Sequence, residues 1–571
     1  MVNLKINGIA VSVPEGSTIL QAAKLANVRI PTLCYLKEIQ CIGSCRMCLV
    51  EATGARGLVA ACVYPVSEGM EVRTNTPKVR KSRKTSLELI LSTHKKKCLS
   101  CVRSMNCELQ KLALEYNAEE DKFGTDHDIK PIDDLSPSVV RDNSKCIMCT
   151  RCVAACEKQT IGAIGPKHRG YAKTIGSPFD VSLAHTPCVN CGQCVVACPV
   201  GALYEKSNVA DVWGAIVDPT KKVVFFTAPS VRATLGEAFG LPVGTNVEGK
   251  MVTAIKQLGD VECFNMDTTA DLTIMEEANE LLARLKNGGT TPMFTSCCPG
   301  WIKFCEHYYP EYLPNLSTCK SPQEMFSAVL KTYYCQKNNI DPKDLYVVSV
   351  IPCTAKKFEV TREELGNYTD SAITTRELAK MIKEAGIDFA NLADTPYDDP
   401  FGLASGAGAI FGATGGVMEA ALRTAAKALG DPDEPIVFNE VRGTQGLKEA
   451  TFTLAGVTVN VAIASGLANA RKIIESIKSG EKNYTFVEVM ACPGGCINGG
   501  GQPYVHDEIR NSVDLKTLRA QALYDYDSDS AVRCSHENAT VTKLYEEFFG
   551  EPNSHKAHEL LHTTYVERPK Y

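Results

Sequence analysis

Apolar and polar residues alternate from Val2 to Val13, with Val2, Leu4 and Ile6 before Asn7-Gly8 and Ile9, Val11 and Val13 after it. A period of two marks a strand with one buried face, and Asn-Gly is the pair that a two-residue hairpin turn favours, so the chain opens with a β-hairpin. Ser17 or Thr18 then stands as N-cap before "ILQAAKLA", a short helix, followed by "IPTLCY". Past about residue 210 the pattern changes to short apolar runs such as "KKVVFFTAP" and "LYVVSVIPC" with amphipathic stretches between them, which predicts an α/β architecture. One of those stretches, "TIMEEANELLARLK", puts Glu277, Glu280 and Arg284 on one helical face, while Met275, Ala278, Leu282 and Leu285 can pack on the other. On most helices such a charged face simply meets solvent.

A chain of 571 residues is too long for a single core and implies several domains. Its 22% charged residues and net charge of -5 argue against a dominant polyanion-binding role, so nucleic acid is not an expected partner. The longest apolar stretch, from Phe401, is broken by glycines and by Glu419 and reads as loops with the start of a buried helix, not a membrane span. The first residues are a hairpin instead of an export signal, so the expected compartment is the cytoplasm. Cysteine is the outlier, with 26 residues, many in C-x2-C runs. In a chain large enough to bury real cores, that pattern favours metal ligation over a disulfide framework.

The first four candidates, Cys34, Cys45, Cys48 and Cys62, follow the spacing C-x10-C-x2-C-x13-C. Plant-type 2Fe-2S proteins use C-x4-C-x2-C and a distant fourth, so here the first gap is longer. Cys41 offers a second way to count, and it is assigned as a non-ligand; a tetrahedral zinc site is the competing reading. Next come His94, Cys98, Cys101 and Cys107, four soft or borderline ligands within 14 residues. Alone these would suit zinc. Between iron-sulfur modules an Fe-S cluster with one imidazole is the better reading, and a neutral ligand there should raise the potential. The basic residues Lys78 to Lys84 and Lys95 to Lys97 are either a solvated helix face or a steering patch for an acidic redox partner.

The most specific local signal is an internal repeat of C-x2-C-x2-C-x3-C, at Cys146, Cys149, Cys152 and Cys156 and again at Cys188, Cys191, Cys194 and Cys198. In bacterial two-cluster ferredoxins the fourth cysteine of each run serves the other cluster. One cluster should therefore use Cys146, Cys149, Cys152 and Cys198, and the other Cys188, Cys191, Cys194 and Cys156. Glu157 follows the first run where proline follows the second, which affects only the local turn. Such a row of clusters conducts electrons, and the remaining residues should hold what consumes them.

Nucleotide motifs do not supply that terminus. "GTNVEGKM" puts Met251 where a P-loop needs Ser or Thr, and "GAGAIFGATGG" lacks the dinucleotide-binding spacing. What stands out is Cys298 in "TSCCPGW", Cys353 in "VIPCTAKKFE", and Cys492 with Cys496 in "VMACPGGCINGGGQP". Four thiols on three distant loops can close a 4Fe-4S site. The remaining cysteines, Cys263, Cys305, Cys319, Cys335 and Cys534 together with Cys41, are expected to be buried packing.

These three motifs, in this order, resemble the signatures of the FeFe-hydrogenases, and the whole chain, from its 2Fe-2S module to "AHELLH", is similar to the monomeric clostridial type. The resemblance implies a multidomain α+β and α/β protein. Its parts would be a β-grasp 2Fe-2S ferredoxin-like domain (1–77), a His/Cys Fe-S domain (78–126), a two-cluster ferredoxin-like domain (127–209) and a two-lobed α/β active-site domain (210–571). It implies one 2Fe-2S cluster, three accessory 4Fe-4S clusters and an H-cluster, whose 4Fe-4S half is held by Cys298, Cys353, Cys492 and Cys496. Cys496 would bridge to a two-iron subsite carrying CO, cyanide and azadithiolate. Lys356 and the backbone near Pro229 and Ser230 would bond the cyanides, and Met266, Pro322, Gln323, Ile351, Phe411 and Met490 would wall the pocket. Ile351 stands where many relatives have methionine, and Pro493 occupies a variable position; both would tune the pocket without removing a ligand. Ferredoxin or a similar carrier, and dedicated maturation enzymes, are the implied partners.

Adjacent side chains leave an extended backbone in opposite directions, so if Cys298 binds iron, Cys297 faces away as a free thiol. A thiol titrates near pH 8.5, close enough to neutrality to pass protons. The resemblance extends this to a relay of Arg284, Glu280, Ser317, Glu277 and Cys297. Reducing protons at pH 7 needs electrons at roughly -0.41 V, seven pH units at about 59 mV each. Plant-type ferredoxins sit near about -400 mV, so such a chain can run in either direction. Two other classes remain: a non-catalytic iron-sulfur subunit like that of respiratory NADH dehydrogenase, and an iron-sulfur assembly factor of hydrogenase-like type. The former has no need of "TSCCPGW", and the latter usually lacks the paired cysteines.

Overall fold

The computed structural model describes residues 1–124, 131–430 and 437–570. The expected boundary at 126–127 lies outside the described residues. The opening hairpin forms as strands Val2–Ile6 and Ile9–Val13, and Thr18, not Ser17, caps the helix Ile19–Leu25 in a capping box with Gln21. Strands Leu49–Ala52, Val59–Ala60 and Glu71–Arg73 complete a five-stranded mixed sheet against that helix. The helix Pro77–Ser92 leads away from it. The basic run on this helix is not all solvated: Arg83 is 3% exposed and donates to the Leu49 carbonyl at 2.6 Å, tying helix to sheet.

The cysteine repeat is built as two turn-plus-helix units, Arg151–Lys158 and Gln193–Ala197, packed on a three-stranded sheet of Leu203–Glu205, Val139–Asp142 and Ile132–Asp133. With Glu157 in place of proline the first helix runs on past Cys156 to Lys158, whereas Pro199 follows the end of the second at Ala197.

Beyond it lie two sheets. One is fully parallel, ordered Val261–Asn265, Lys222–Thr227, Leu345–Ile351, Ser371–Thr374; the apolar runs around "VVFF" and "YVVSV" are its buried centre. The other is ordered Met293–Phe294, Phe486–Met490, Val457–Ser465, Leu447–Leu454, with the last pair antiparallel. Helix Asp267–Asn287 packs with the helices 322–329, 406–410 and 416–429 and is buried through nearly all of its first three turns. The expected two-faced packing is therefore corrected. Leu281 is buried, Leu285 is 37% exposed, and the Glu277 side sits in the interior at 1% exposure. Periodicity reads one packed face, but tertiary neighbours close on both sides of this helix.

The C-terminal helices Leu515–Asp529, Ala539–Leu544 and His555–Leu561 wrap over this region, and Tyr545 and His562 both bond the buried carboxylate of Glu276. Among the described residues no helix is long and apolar enough to cross a membrane.

Candidate active site

Every motif of the second half sits just past the carboxyl end of a parallel strand, where ligands of open α/β sheets bind. Pro229 and Ser230 follow Lys222–Thr227, Met266 follows Val261–Asn265, and Cys353 follows Leu345–Ile351. From the second sheet, Cys297 and Cys298 follow Met293–Phe294, and Cys492 follows Phe486–Met490. The ends of the two sheets meet around one cavity of about 80 Å³. Cys298, Cys353, Cys492 and Cys496 line it, with Cys297, Lys356, Pro229, Ser230, Met266, Pro322, Gln323, Ile351, Phe411 and Met490. The "PGG" between the last two ligand candidates is dictated by space. Gly495 has φ +98, and a Cβ there would come within 2.7 Å of the Thr414 nitrogen and 2.9 Å of the Gly412 oxygen.

The donor set fits an iron-sulfur centre. Burial pushes the thiols of Cys298, Cys353 and Cys496 up, and Cys492 well up, so metal coordination is what would hold them as thiolates. Lys356 Nζ lies in the same wall, 3.3 Å from the Cys297 carbonyl and 2.8 Å from Glu359. Burial alone would lower its pKa, but Glu359 raises it and keeps the ammonium charged beside an otherwise apolar cavity. Glu359 also accepts from Ser321 and Gln323, at 2.9 and 3.1 Å.

Behind Cys297 a row of polar groups leads outward. Arg284 donates to Glu280 at 2.6 Å, Ser317 donates to the other Glu280 oxygen at 2.8 Å, and the Thr318 amide donates to both. Glu277 comes next, and neither of its oxygens has a hydrogen-bond partner of good geometry. Burial, then the charge of Glu280, pushes the Glu277 carboxyl up to about 8, while Ser317 pulls the other way. Burial pushes the Cys297 thiol well up, and nearby Glu277 adds to it. The row is continuous from Arg284 to Ser317, and Glu277 stands between its inner end and the cavity.

The accessory candidates gather as the spacing requires. Cys146, Cys149, Cys152 and Cys198 line one small cavity, so the fourth member comes from the other run. Cys156 faces Cys188, Cys191 and Cys194. His94, Cys98, Cys101 and Cys107 line another cavity, where a Cβ on Gly201 would strike the Cys101 sulfur at 2.5 Å. At the N-terminus Cys34 pairs with Cys45, and the sulfurs of Cys48 and Cys62 are 3.4 Å apart. Cys41 is exposed, its thiol donating to the Cys62 carbonyl, which corrects the expectation of buried packing; the loop carrying it lies at the surface beside the sulfur group. Cys263, Cys305, Cys319, Cys335 and Cys534 are buried, and all 26 cysteines are free of disulfides.

The second ferredoxin-like group abuts the large cavity. Cys191 lies close enough to Cys353 and Cys492 for their charges to interact, Thr354 donates to the Asn190 carbonyl at 2.6 Å, and Gln193 to the Asn498 carbonyl at 3.0 Å. Glycine at 192 and 500 lets the two backbones touch. Sequence reasoning missed Glu359, Glu276 and His562. The last two lie nearly 300 residues apart, and only the folded chain joins them. "KKFE" did carry a signal, since Glu359 falls at i+3 from Lys356.

Comparisons with known proteins cover the same ground. Profiles described as "Iron only hydrogenase large subunit, C-terminal domain" and "Iron hydrogenase small subunit" match residues 221–500 and 513–568. A 2Fe-2S iron-sulfur cluster binding domain matches 1–77, an NADH-ubiquinone oxidoreductase-G iron-sulfur binding region 83–122, and a 4Fe-4S dicluster domain 145–202. The chain is 47% identical, over the full length of both, to the NADP-reducing hydrogenase subunit HndD of Solidesulfovibrio fructosivorans. It is 44% identical to Iron hydrogenase 1 of Clostridium pasteurianum, over 99% of this chain and 100% of that one. A solved structure of apo FeFe-hydrogenase HydA1 from Chlamydomonas reinhardtii covers 63% of this chain and 99% of that one, at 41% identity and a TM-score of 0.56.

Proposed function

The chain belongs to the iron-only hydrogenases and is an oxidoreductase acting on H2, with 2Fe-2S, 4Fe-4S and H-cluster domains; from that premise we propose how its own residues divide the work. The observation that carries the reading is the single cavity into which three distant loops bring four thiols, with a fifth, Cys297, beside them. Cys298, Cys353, Cys492 and Cys496 would hold the H-cluster, with Cys496 bridging to its two-iron subsite. Lys356 and the backbone near Pro229 and Ser230 would meet the cyanides, and Met266, Pro322, Gln323, Ile351, Phe411 and Met490 would keep water out. Bound there, the group supplies the redox-active irons at which protons and electrons interconvert with H2.

The protein's share is proton supply. Arg284, partly exposed, and Ser317 both donate to Glu280, and Ser317 lies next to Glu277, so a proton entering at Glu280 would pass through the Ser317 hydroxyl to Glu277. Glu277, neutral at pH 7 because it is buried, keeps a proton ready within the protein, and with only weakly aligned partners its carboxyl can hand that proton on toward Cys297. Cys297 delivers that proton to the cavity and recovers it when the reaction runs backward.

Electrons would arrive through one 2Fe-2S and three 4Fe-4S clusters, held by Cys34, Cys45, Cys48 and Cys62; His94, Cys98, Cys101 and Cys107; and the two exchanged groups of the repeat. The nearness of Cys191 to Cys353 and Cys492, close enough for their charges to interact, supports entry of electrons from that side. We assign domains to 1–77, 78–126, 127–209 and 210–571, and take the protein as a cytoplasmic monomer using ferredoxin and needing maturation enzymes. The likeness to HndD favours a second reading for the donor, in which companion subunits take ferredoxin's place. The native mass of the complex purified from its own cells separates the two. The cavity assignment is tested by loading the two-iron subsite into Cys353→Ala and Cys496→Ala. Both should lose the carbonyl and cyanide infrared bands, and retention of wild-type bands by either would overturn it.

A further inference from the structure

Cys319 has no part in the relay or the cavity. It is wholly buried, and its sulfur lies 3.8 Å from Glu280 Oε2. Across from it stands His562, brought there by the C-terminal strap, which pairs with residues 318–320 like a short strand: Lys320 donates to the Leu561 carbonyl and Thr563 to that of Thr318, each at 2.8 Å. Ligand atoms of Glu280, Cys319 and His562 all lie within 4.8 Å of one another. The His562 side chain is 4% exposed and that of Glu280 11%.

Thiolate, imidazole and carboxylate form the donor set of zinc, at about 2.3, 2.0 and 2.0 Å. At a tetrahedral angle those bond lengths put sulfur and oxygen about 3.5 Å apart, close to the 3.8 Å observed, so only a small adjustment is needed. The charges also match. A thiolate and a carboxylate together cancel a divalent cation, leaving no net charge in a buried place. Arg284, which covers Glu280, is itself 13% exposed, and His558, exposed at the surface, lies with its ring 4.2 Å from that of His562.

We propose that Glu280, Cys319 and His562 form a binding site for a zinc-class divalent cation, and that filling it closes the proton relay by taking Glu280 from Ser317 and Arg284. Binding exchanges the Cys319 S–H bond for S–Zn and releases the proton to the buffer. It also gives up one of the two hydrogen bonds of His562, to Thr318 or to Glu276. The inhibitory half rests on the relay proposed above; the binding half does not.

The test uses matured holoenzyme, freed of loose metal with EDTA and titrated with zinc sulfate or, as control, magnesium sulfate. Zinc-edge X-ray absorption is recorded together with H2 evolution. The expected result is one zinc with a single sulfur at about 2.3 Å and lighter ligands at about 2.0 Å, turnover lost on zinc addition and restored by EDTA, and no effect of magnesium. Cys319→Ala should evolve H2 normally, lose the sulfur shell and need at least about ten times more zinc for half-inhibition, since losing even an outer-shell partner costs 10- to 100-fold in affinity. His562→Gln should weaken binding in the same way. A wild-type zinc shell with no sulfur, or with four as in cluster displacement, would overturn the site, as would unchanged zinc affinity in Cys319→Ala. Zinc bound through Cys319 while turnover continues would keep the site and refute the relay.

Discussion

Glu277→Gln is the most informative change, because it swaps a buried acid for a neutral group of the same shape. The wild-type carboxyl is 1% exposed and its pKa stands at about 8 against an ordinary 4.5. At about 1.36 kcal/mol per unit, ionising it inside the protein costs about 5 kcal/mol more than in water. At pH 7 roughly nine molecules in ten hold the proton. The amide cannot pass one, and positioned acid-base groups contribute about 10²- to 10⁴-fold, so below about pH 8 H2 evolution should fall by that factor, with the gap to wild type narrowing above it, while the infrared bands of the cofactor persist. The wild type should itself lose proton-reduction activity as pH rises through about 8, where the stored proton leaves. Stability should follow the same window. A raised carboxyl pKa favours the folded state least at high pH, so this group's contribution to wild-type stability declines between about 4.5 and 8, and the Gln variant should lack that component of the pH dependence. The assay is H2 evolution from reduced methyl viologen at pH 6 to 9, with thermal midpoints of both proteins. Wild-type turnover in Glu277→Gln with intact bands would refute the role given to this residue.

Cys297→Ser should retain the cofactor bands and lose nearly all turnover, read by infrared spectroscopy beside H2 evolution; wild-type-like evolution would end the case for a thiol carrier. Gly495→Ala should fail to form the site, since its Cβ meets the backbone of residues 412–414 under 3 Å, and should show little or no infrared signal after maturation. If His94 is the neutral ligand proposed above, His94→Cys exchanges it for a thiolate and should move one midpoint in an EPR redox titration to lower potential. Cys41→Ser should leave the 2Fe-2S EPR signal as it is in the wild type, and loss of that signal would make Cys41 a ligand.

What the sequence showed and what it hid have different ranges. The cysteine groups are legible because ligand chemistry fixes local spacing, and even the exchange of Cys156 and Cys198 follows from the repeat. The hairpin at Asn7-Gly8, the cap at Thr18 and the strands through "VVFF" and "YVVSV" rest on equally local rules. The helix 267–287 does not. Its charged side reads as surface, yet Glu277 is interior because helices at 322–329, 406–410 and 416–429 close over it. The partners of Glu276 are hidden for the same reason. Tyr545, Asn553 and His562 come from the far end of the chain, and no periodicity within either segment announces the other.

The central claim is that the cavity between the two sheets takes an iron centre with bound CO and cyanide. An infrared spectrum of protein matured without oxygen tests it most directly. The account calls for sharp bands of metal-bound carbonyl and cyanide, absent from protein made without maturation enzymes. A matured sample with its accessory clusters intact and no such bands would contradict it.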